Sequence, residues 1–300
     1  MANIKLGDYN TLKMTRVAER PNPHAYGGKE TFGIFLDGGK EGEILMPQKY
    51  VPEHVKEGSD VHCFVYLDQD ERLVATTERP LAKVGDFAYL KCSWVNEYGA
   101  FLDWGVMKDL FCSFREQKKR MEIGESYIVY VYVDEESYRV AASAKVDRFL
   151  HDVRDDNGGG LHRGVAVDLL VWQKTELGFK VIVNNRYAGL VYKDQVFQYI
   201  HTGDRVKGYV QNVREDGKID ISLQPMGRRQ TLDFAETLLE WTKAHGGFCP
   251  FNDKSHPDDI KHEFQVSKKV FKKAVGDLYK KKLITISERG LTLADKENGK

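Results

Sequence analysis

The sequence predicts a mainly β protein with a C-terminal α+β module: three tandem five-stranded barrels of the OB type followed by a winged helix. Three observations predict it. A marker pattern recurs as Gly33-Gly58-Thr77, Gly99-Gly124-Ser143 and Gly178-Gly203-Ser222, each time with spacings of 25 and 19 residues. Each copy is rich in β-branched and aromatic runs broken by Gly, Asp and Asn, as expected of short strands and tight turns. After Arg229 the apolar period becomes that of a helix. A repeat at fixed spacing outweighs any single propensity, because each copy must then be one folding unit.

The first copy begins near Gly7, 26 residues before Gly33, whereas Gly85 and Gly164 lie 14 residues before Gly99 and Gly178. Copy one therefore carries 12 extra residues, placed near the loop-forming run Pro21-Asn-Pro-His-Ala-Tyr-Gly-Gly28. In copy two the predicted strands are Phe87–Val95, Gly99–Trp104, Asp109–Phe114, Tyr127–Asp134 and Arg139–Ser143, with a short helical turn over Arg115–Met121. The copies end in HCFVYLDQDERLVATT, IVYVYVDEESYRVAAS and KGYVQNVREDGKIDIS, each a strand, a polar turn and a second strand. Five strands in about 65 to 80 residues suit a small Greek-key barrel. The expected domains are 1–80, 81–150, 151–226 and 227–300. Arg154–Gly160 is expected to be a flexible linker and Gln224–Arg229 a second separator.

In the last segment, Leu232, Ala235, Leu238, Leu239 and Thr242 fall at helical spacing before the stop Gly246-Gly247. Ser255 is the expected N-cap of a second helix ending near Phe264, and Ser267 that of a third helix reaching about Lys281. The third helix places Val270, Phe271, Ala274, Val275 and Leu278 on one face and Lys268, Lys269, Lys272, Lys273 and Lys280 on the other. Leu283–Ile286 and Leu291–Leu293 close a hairpin, which completes a winged-helix order. Lysine neutralises phosphate but lacks the planar fork of arginine, so this face would grip a nucleic-acid backbone rather than read bases. A merely solvated face is the plain alternative.

Composition narrows the function. The chain has 300 residues, 41% apolar and 30% charged, with 45 basic and 45 acidic side chains. That balance excludes broad disorder and a uniformly basic coat, so a charged partner must meet a local patch. Basic and acidic residues number 10 and 13 over residues 1–80, 10 and 11 over 81–150, 11 and 10 over 151–228, and 14 and 11 over 229–300. The charge thus rises along the chain. Met1–Asn10 shows no basic stretch followed by an apolar run, and the longest apolar runs fall short of a membrane span. Four cysteines without a CxxC pair point to a reducing compartment, and a cytoplasmic location is expected. Gly27–Thr31 lacks the full phosphate-loop frame, and His245, Cys249, His256 and His262 match no zinc spacing. No enzyme activity, cofactor or metal is expected.

Two strand-two motifs carry binding chemistry. In Phe32-Gly-Ile-Phe35 and Tyr98-Gly-Ala-Phe101, aromatics flank a glycine at a spacing of three. Exposed rings arranged this way make stacking platforms for unpaired bases, and Arg72 or Arg139 could add a cation. Packing of the same rings in the barrel interior is the alternative. The glycine spacing, the aromatic-Gly-x-aromatic strand and the terminal hairpin resemble the S1-type RNA-binding domain. The whole order, ending in FQVSKKVFKKAVGDLYKKKLI and ISERGLTL, resembles the conserved virulence factor B family of bacteria. That resemblance implies RNA binding and regulation of gene expression, virulence determinants included, without catalysis. On matching positions it implies ring contacts at Phe32, Phe35, Tyr98 and Phe101, a basic residue at Arg72, Arg139 and Lys218, and an acidic turn residue at Asp68 and Asp134. The strand-three histidine of the S1 pattern is replaced near Met46 and Cys112, with Tyr192 nearby in copy three as a further expected RNA contact. Copy three has Leu177 and Lys180 at the ring positions, Phe179 and Tyr187 being its nearest aromatics. The expected partner is single-stranded RNA, with DNA or a protein as further partners for the winged helix. The runner-up function is a scaffold that docks a nuclease or ribosome component.

Overall fold

The three glycine-marked copies close into three five-stranded barrels with the same strand order. The computed structural model describes residues 4–294 apart from 25, 194, 195, 197, 198, 226 and 227. Barrel one comprises β1 (Asp8–Pro21), β2 (Lys29–Asp37), β3 (Glu43–Pro47), β4 (Asp60–Leu67) and β5 (Leu73–Thr76). Barrel two comprises β6 (Phe87–Val95), β7 (Gly99–Asp103), β8 (Leu110–Ser113), β9 (Ser126–Val133) and β10 (Val140–Ser143). Barrel three comprises β11 (Ala166–Lys174), β12 (Gly178–Val183), β13 (Tyr187–Tyr192), β14 (Arg205–Val213) and β15 (Ile219–Ser222). In each, the third and fifth strands pair in parallel and the other pairs are antiparallel.

The markers have separate physical causes. A Cβ on Gly33, Gly99 or Gly178 would lie 2.2, 2.3 or 2.0 Å from the carbonyl oxygen of Met46, Cys112 or Val191, so strands two and three approach too closely for a side chain. Gly58, Gly124 and Gly203 take φ of 85°, 90° and 97°, and each donates its N–H to the first strand of its barrel at 2.8 Å. The hydroxyl marker is shifted in copy one. Ser143 and Ser222 pair with Tyr130 and Tyr209, whereas Thr76, not Thr77, pairs with the equivalent Phe64. The cause is a β4–β5 turn one residue shorter than the β9–β10 turn, Leu67↔Leu73 against Val133↔Val140. A further repeat was not legible as spacing: every first strand bulges, between Met14 and Arg16, Cys92 and Trp94, and Val171 and Gln173.

The extra residues of copy one build more than a loop. They lengthen β1 and β2 into a ribbon paired as far as Pro21↔Lys29, with Arg20–Glu30 and Lys29–Glu19 ion pairs across it. Ala25 of that loop lies outside the described residues. The chain forms two units, Met1–Leu150 and His151–Lys300. In the first, Phe64, Tyr66 and Val74 of barrel one belong to the same buried cluster as the core of barrel two, and Phe64 meets Trp104 edge-on at 5.5 Å. In the second, the expected flexible linker is a run of turns tied to barrel three. Val153 and Leu161 are buried in its core, and Asp156 accepts from Arg186 and from the Tyr187 hydroxyl at 2.8 Å.

The C-terminal module contains α1 (Arg228–Ala244), β16 (Phe248–Cys249), α2 (Pro257–Phe264), α3 (Lys268–Lys280), β17 (Ile284–Ser287) and β18 (Gly290–Leu293). The sheet order β16-β18-β17 adds one strand to the predicted hairpin. Val270, Phe271, Ala274, Val275 and Leu278 of α3 are buried as their spacing predicts. Ser267 caps α3, its Oγ accepting the Val270 N–H. The α2 cap is His256 rather than Ser255: its Nδ1 accepts the Asp258 N–H, while Ser255 Oγ accepts the N–H of Asn252. Met226 and Gly227 of the predicted separator, and the Leu232 side chain, lie outside what the structure describes. Among the described residues no helix is long and apolar enough to cross a membrane.

Candidate nucleic-acid interface

The bulge in β6 sets the site. Ala88, Leu90 and Cys92 alternate inward, and an unbroken alternation would send Trp94 inward as well. The bulge reverses it, so that Trp94 pairs with Phe101 on the outer face. The two rings stack at 3.7 Å with an interplanar angle of 2°. Phe111 stands opposite Phe101 on β8, 5.0 Å away. The Trp94 Nε1–H donates to Asp109 Oδ2 at 3.1 Å and fixes the indole. Tyr98 precedes β7 in a turn held by Asn96 Oδ1, which accepts the N–H groups of Tyr98 and Gly99, and its side chain is 67% exposed. These four aromatics line a cleft of about 830 Å³, to which barrel one contributes Tyr66, Leu67 and Gln69.

This corrects the expectation that the two strand-two rings present their own faces. Tyr98 does so, but one face of Phe101 is covered by Trp94, whose indole is 44% exposed and forms the outer surface. Trp94 and Phe111 escape a reading of the sequence alone. The bulge hides the first, and the second stands out only once β8 is registered beside Phe101.

Cations reach the cleft with partners already in place. Arg139 pairs with Glu71 of barrel one. Lys108 donates through Nζ to the Asp68 carbonyl oxygen at 2.6 Å, and its burial lowers its pKa below the ordinary lysine value. Arg72 does not line the cleft: it is held by Asp68 and Asp70, both at 2.8 Å. Burial pushes the Asp68 carboxyl up, but the Arg72 hydrogen bonds outweigh that and hold it below the usual carboxylate range. Asp134 also lines the cleft.

Among the described residues, the equivalent face presents no open aromatic row in the other two barrels. In barrel one the Trp94 position is Arg16, whose guanidinium lies 4.1 Å over the Phe35 ring and is held by Glu43. Phe35 is therefore capped, and neither it nor the half-buried Phe32 lines the cleft. In barrel three the row is Gln173, Lys180 and Leu190, with no aromatic in it. Tyr192 is half-buried, its hydroxyl engaged by Arg214, which is itself paired with Asp220 at 2.7 Å. Lys218 pairs with Asp216, Phe179 packs against the core, and Tyr187 is buried against Asp156. Met46 and Cys112 are fully buried, and their equivalent is Val191; Tyr192 lies one residue on, opposite Gly178.

On α3, Lys269, Lys272, Lys273 and Lys280 are exposed. Lys268 departs from the expected stripe, since it is half-buried and donates to the Ser255 carbonyl at 2.8 Å. Among the described residues no group of three or more metal-ligating side chains forms, and Cys249 is buried.

Two family profiles match the chain: an S1 domain over residues 28–78 and a CvfB-like winged helix domain over residues 236–293. The uncharacterized protein YitL of Bacillus subtilis is 28% identical over 259 residues, 83% of this chain and 84% of its own length. A conserved virulence factor B of Staphylococcus epidermidis is 25% identical over 272 residues, 87% of this chain and 90% of its own. Among solved structures, a multidomain protein with nucleic acid binding domains from Streptococcus pneumoniae is 22% identical, covers 96% of this chain and 98% of its own, and gives a TM-score of 0.41. S1 barrels and winged helices are module types that bind nucleic acid. With both modules present and most of its length matched by these relatives, the chain bears out its resemblance to the conserved virulence factor B family.

Proposed function

We propose that this is a non-enzymatic, cytoplasmic RNA-binding regulator of gene expression, with domains at 1–80, 81–150, 151–226 and 227–300, that holds single-stranded RNA on its second barrel. The observation that carries the reading is the outward aromatic row Trp94, Phe101 and Phe111, with Tyr98 beside it, in a cleft that also contains Arg139. Each base stacked on such a ring gains about 1–3 kcal/mol with little regard to its identity. Arg139 supplies a phosphate fork, and the exposed lysines of α3 add backbone attraction. Weak sequence preference and steep salt dependence follow. The capped ring of barrel one and the ring-free face of barrel three favour packing or protein docking for those two modules.

The test is fluorescence anisotropy with a labelled oligopyrimidine RNA at low and high salt. Trp94→Ala with Tyr98→Ala is expected to weaken binding tenfold or more, from about 1–3 kcal/mol per lost stack, while Phe35→Ala leaves it in place. Unchanged binding in the double variant removes the cleft from the function. Changing Lys269, Lys272, Lys273 and Lys280 together to Gln is expected to flatten the log–log salt slope by up to about 3. An unaltered slope assigns those lysines to solvent.

A further inference from the structure

One turn of barrel one reaches the cations of the barrel-two cleft. The residues Asp68–Arg72 join β4 to β5. Within them the Asp68 carbonyl accepts from Lys108, and the Glu71 carboxylate accepts from the Arg139 guanidinium. Asp68 and Asp70 are spent on Arg72, which leaves Glu71 as the acid directed at the neighbouring barrel. Glu71 holds φ of 64°, a left-handed conformation that L-residues seldom adopt. The two barrels meet through a common core at Phe64, Tyr66 and Trp104, so the turn is carried on a fixed base.

We propose that Glu71 is an affinity-determining residue of the second barrel's cleft, its carboxylate engaging the Arg139 guanidinium through Nη2, a donor that an RNA phosphate would also use. This rests on the reading of the cleft given above. A carboxylate and a phosphate recruit the same planar N–H donors, so the Glu71 carboxylate on Arg139 Nη2 competes with a phosphate that would take the whole fork. The pair is half-exposed on both sides, 53% and 53%, so a ligand can displace it without first burying a charge. Barrel one thereby acts as a wall of the site although its own ring is capped. The carboxylate penalises phosphate at this end of the cleft while leaving the rings open to bases. A phosphate that takes both arms of the Arg139 fork displaces Glu71 from Nη2, so the contact restrains affinity rather than supplying it.

The experiment uses the full chain and a short labelled oligouridine RNA. Glu71→Gln is expected to bind about fivefold tighter at low salt, the size of an exposed ion pair. Its log–log salt slope should steepen by about 0.7, one phosphate contact on a single strand. Adding Arg139→Gln to Glu71→Gln should abolish both gains. Equal or weaker binding by Glu71→Gln overturns the proposal, as does a gain that survives loss of Arg139. Glu71→Gly suits the left-handed φ and repeats the measurement if the Gln variant melts early. Trp94→Ala separates the two levels: if it leaves RNA binding intact, the stacking site itself is wrong. If Trp94→Ala destroys binding while Glu71→Gln changes nothing, only the role of Glu71 falls.

Discussion

Replacing Gly99 with alanine joins the repeat marker, the barrel and the site in one measurement. The backbone there is outside the left-handed region, so alanine meets no conformational penalty and the whole effect is contact. Its Cβ would stand 2.3 Å from the Cys112 carbonyl oxygen, 2.8 Å from Cε2 of Phe111 and 2.9 Å from Cα of Ser113. Relief requires β7 and β8 to part by about 1 Å, because rigid backbone rather than a flexible side chain is in the way. Overpacking of this kind costs about 1–3 kcal/mol, and the backbone obstacle places Gly99→Ala at the upper end. Phe111 moves with β8, so the aromatic row is disturbed together with the fold. Gly124→Ala is the control: φ is 90° and nothing lies within 4 Å, so it carries about 1–2 kcal/mol of backbone strain without touching the rings. Urea midpoints should fall for both variants, whereas RNA anisotropy under folding conditions should weaken only for Gly99→Ala. Wild-type stability and binding in Gly99→Ala would refute the close-approach reading of the marker glycines.

Two further outcomes follow from burial. The thiols of Cys63 and Cys112 are pushed up to about 12 by burial, from an ordinary 9.0, and the Tyr66 phenol to about 12 from 10.0. Below pH 9 their contribution to stability is complete; above it the unfolded chain releases protons that the folded chain retains, so stability is lost progressively towards pH 12. Tm should therefore decline from about pH 9 upward, and a flat Tm to about pH 11 would contradict it. Gln117 is buried, donates to the Cys112 carbonyl and accepts the Met121 N–H, both at 3.0 Å. Gln117→Leu strands both backbone groups and should cost about 1–3 kcal/mol in urea unfolding; an unchanged midpoint would show that water replaces it.

The barrels were legible because their constraints are local. Gly33, Gly99 and Gly178 face a carbonyl, while Gly58, Gly124 and Gly203 take left-handed turns, and both demands write a glycine into the sequence. The apolar face of α3 was legible for the same kind of reason, since one helical period decides which side chains are buried. The site was only half legible. Tyr98 and Arg139 lie in the cleft, but a β-bulge leaves no composition mark, so Trp94 reads as core on a simple alternation. The pairing of Arg139 with Glu71 joins residues of two barrels, and sequence spacing says nothing about a contact made by docking. Lys268 belongs to the lysine stripe by helical angle, yet the first turn of α3 sits close enough to the α2 entry for its amine to reach Ser255.

The inner and outer faces of the barrels explain why one copy presents an open aromatic row and two do not. Inside, Met46, Cys112 and Val191 are completely buried beneath the marker glycines, and change there disturbs the strand approach. Outside, the residue after the bulge meets strand two with little core behind it, and the three copies differ freely: Arg16 on Phe35, Trp94 on Phe101, Gln173 beside Lys180. An arginine there recruits Glu43 and caps the ring with an ion pair; a tryptophan extends the ring into a wider flat surface; a glutamine does neither. Substitution at this position changes what the face can hold while leaving the barrel closed. The character of each copy's outer face therefore turns in part on one outward position whose side chain the fold does not dictate, and the bulge that precedes it in all three barrels is what turns that side chain outward.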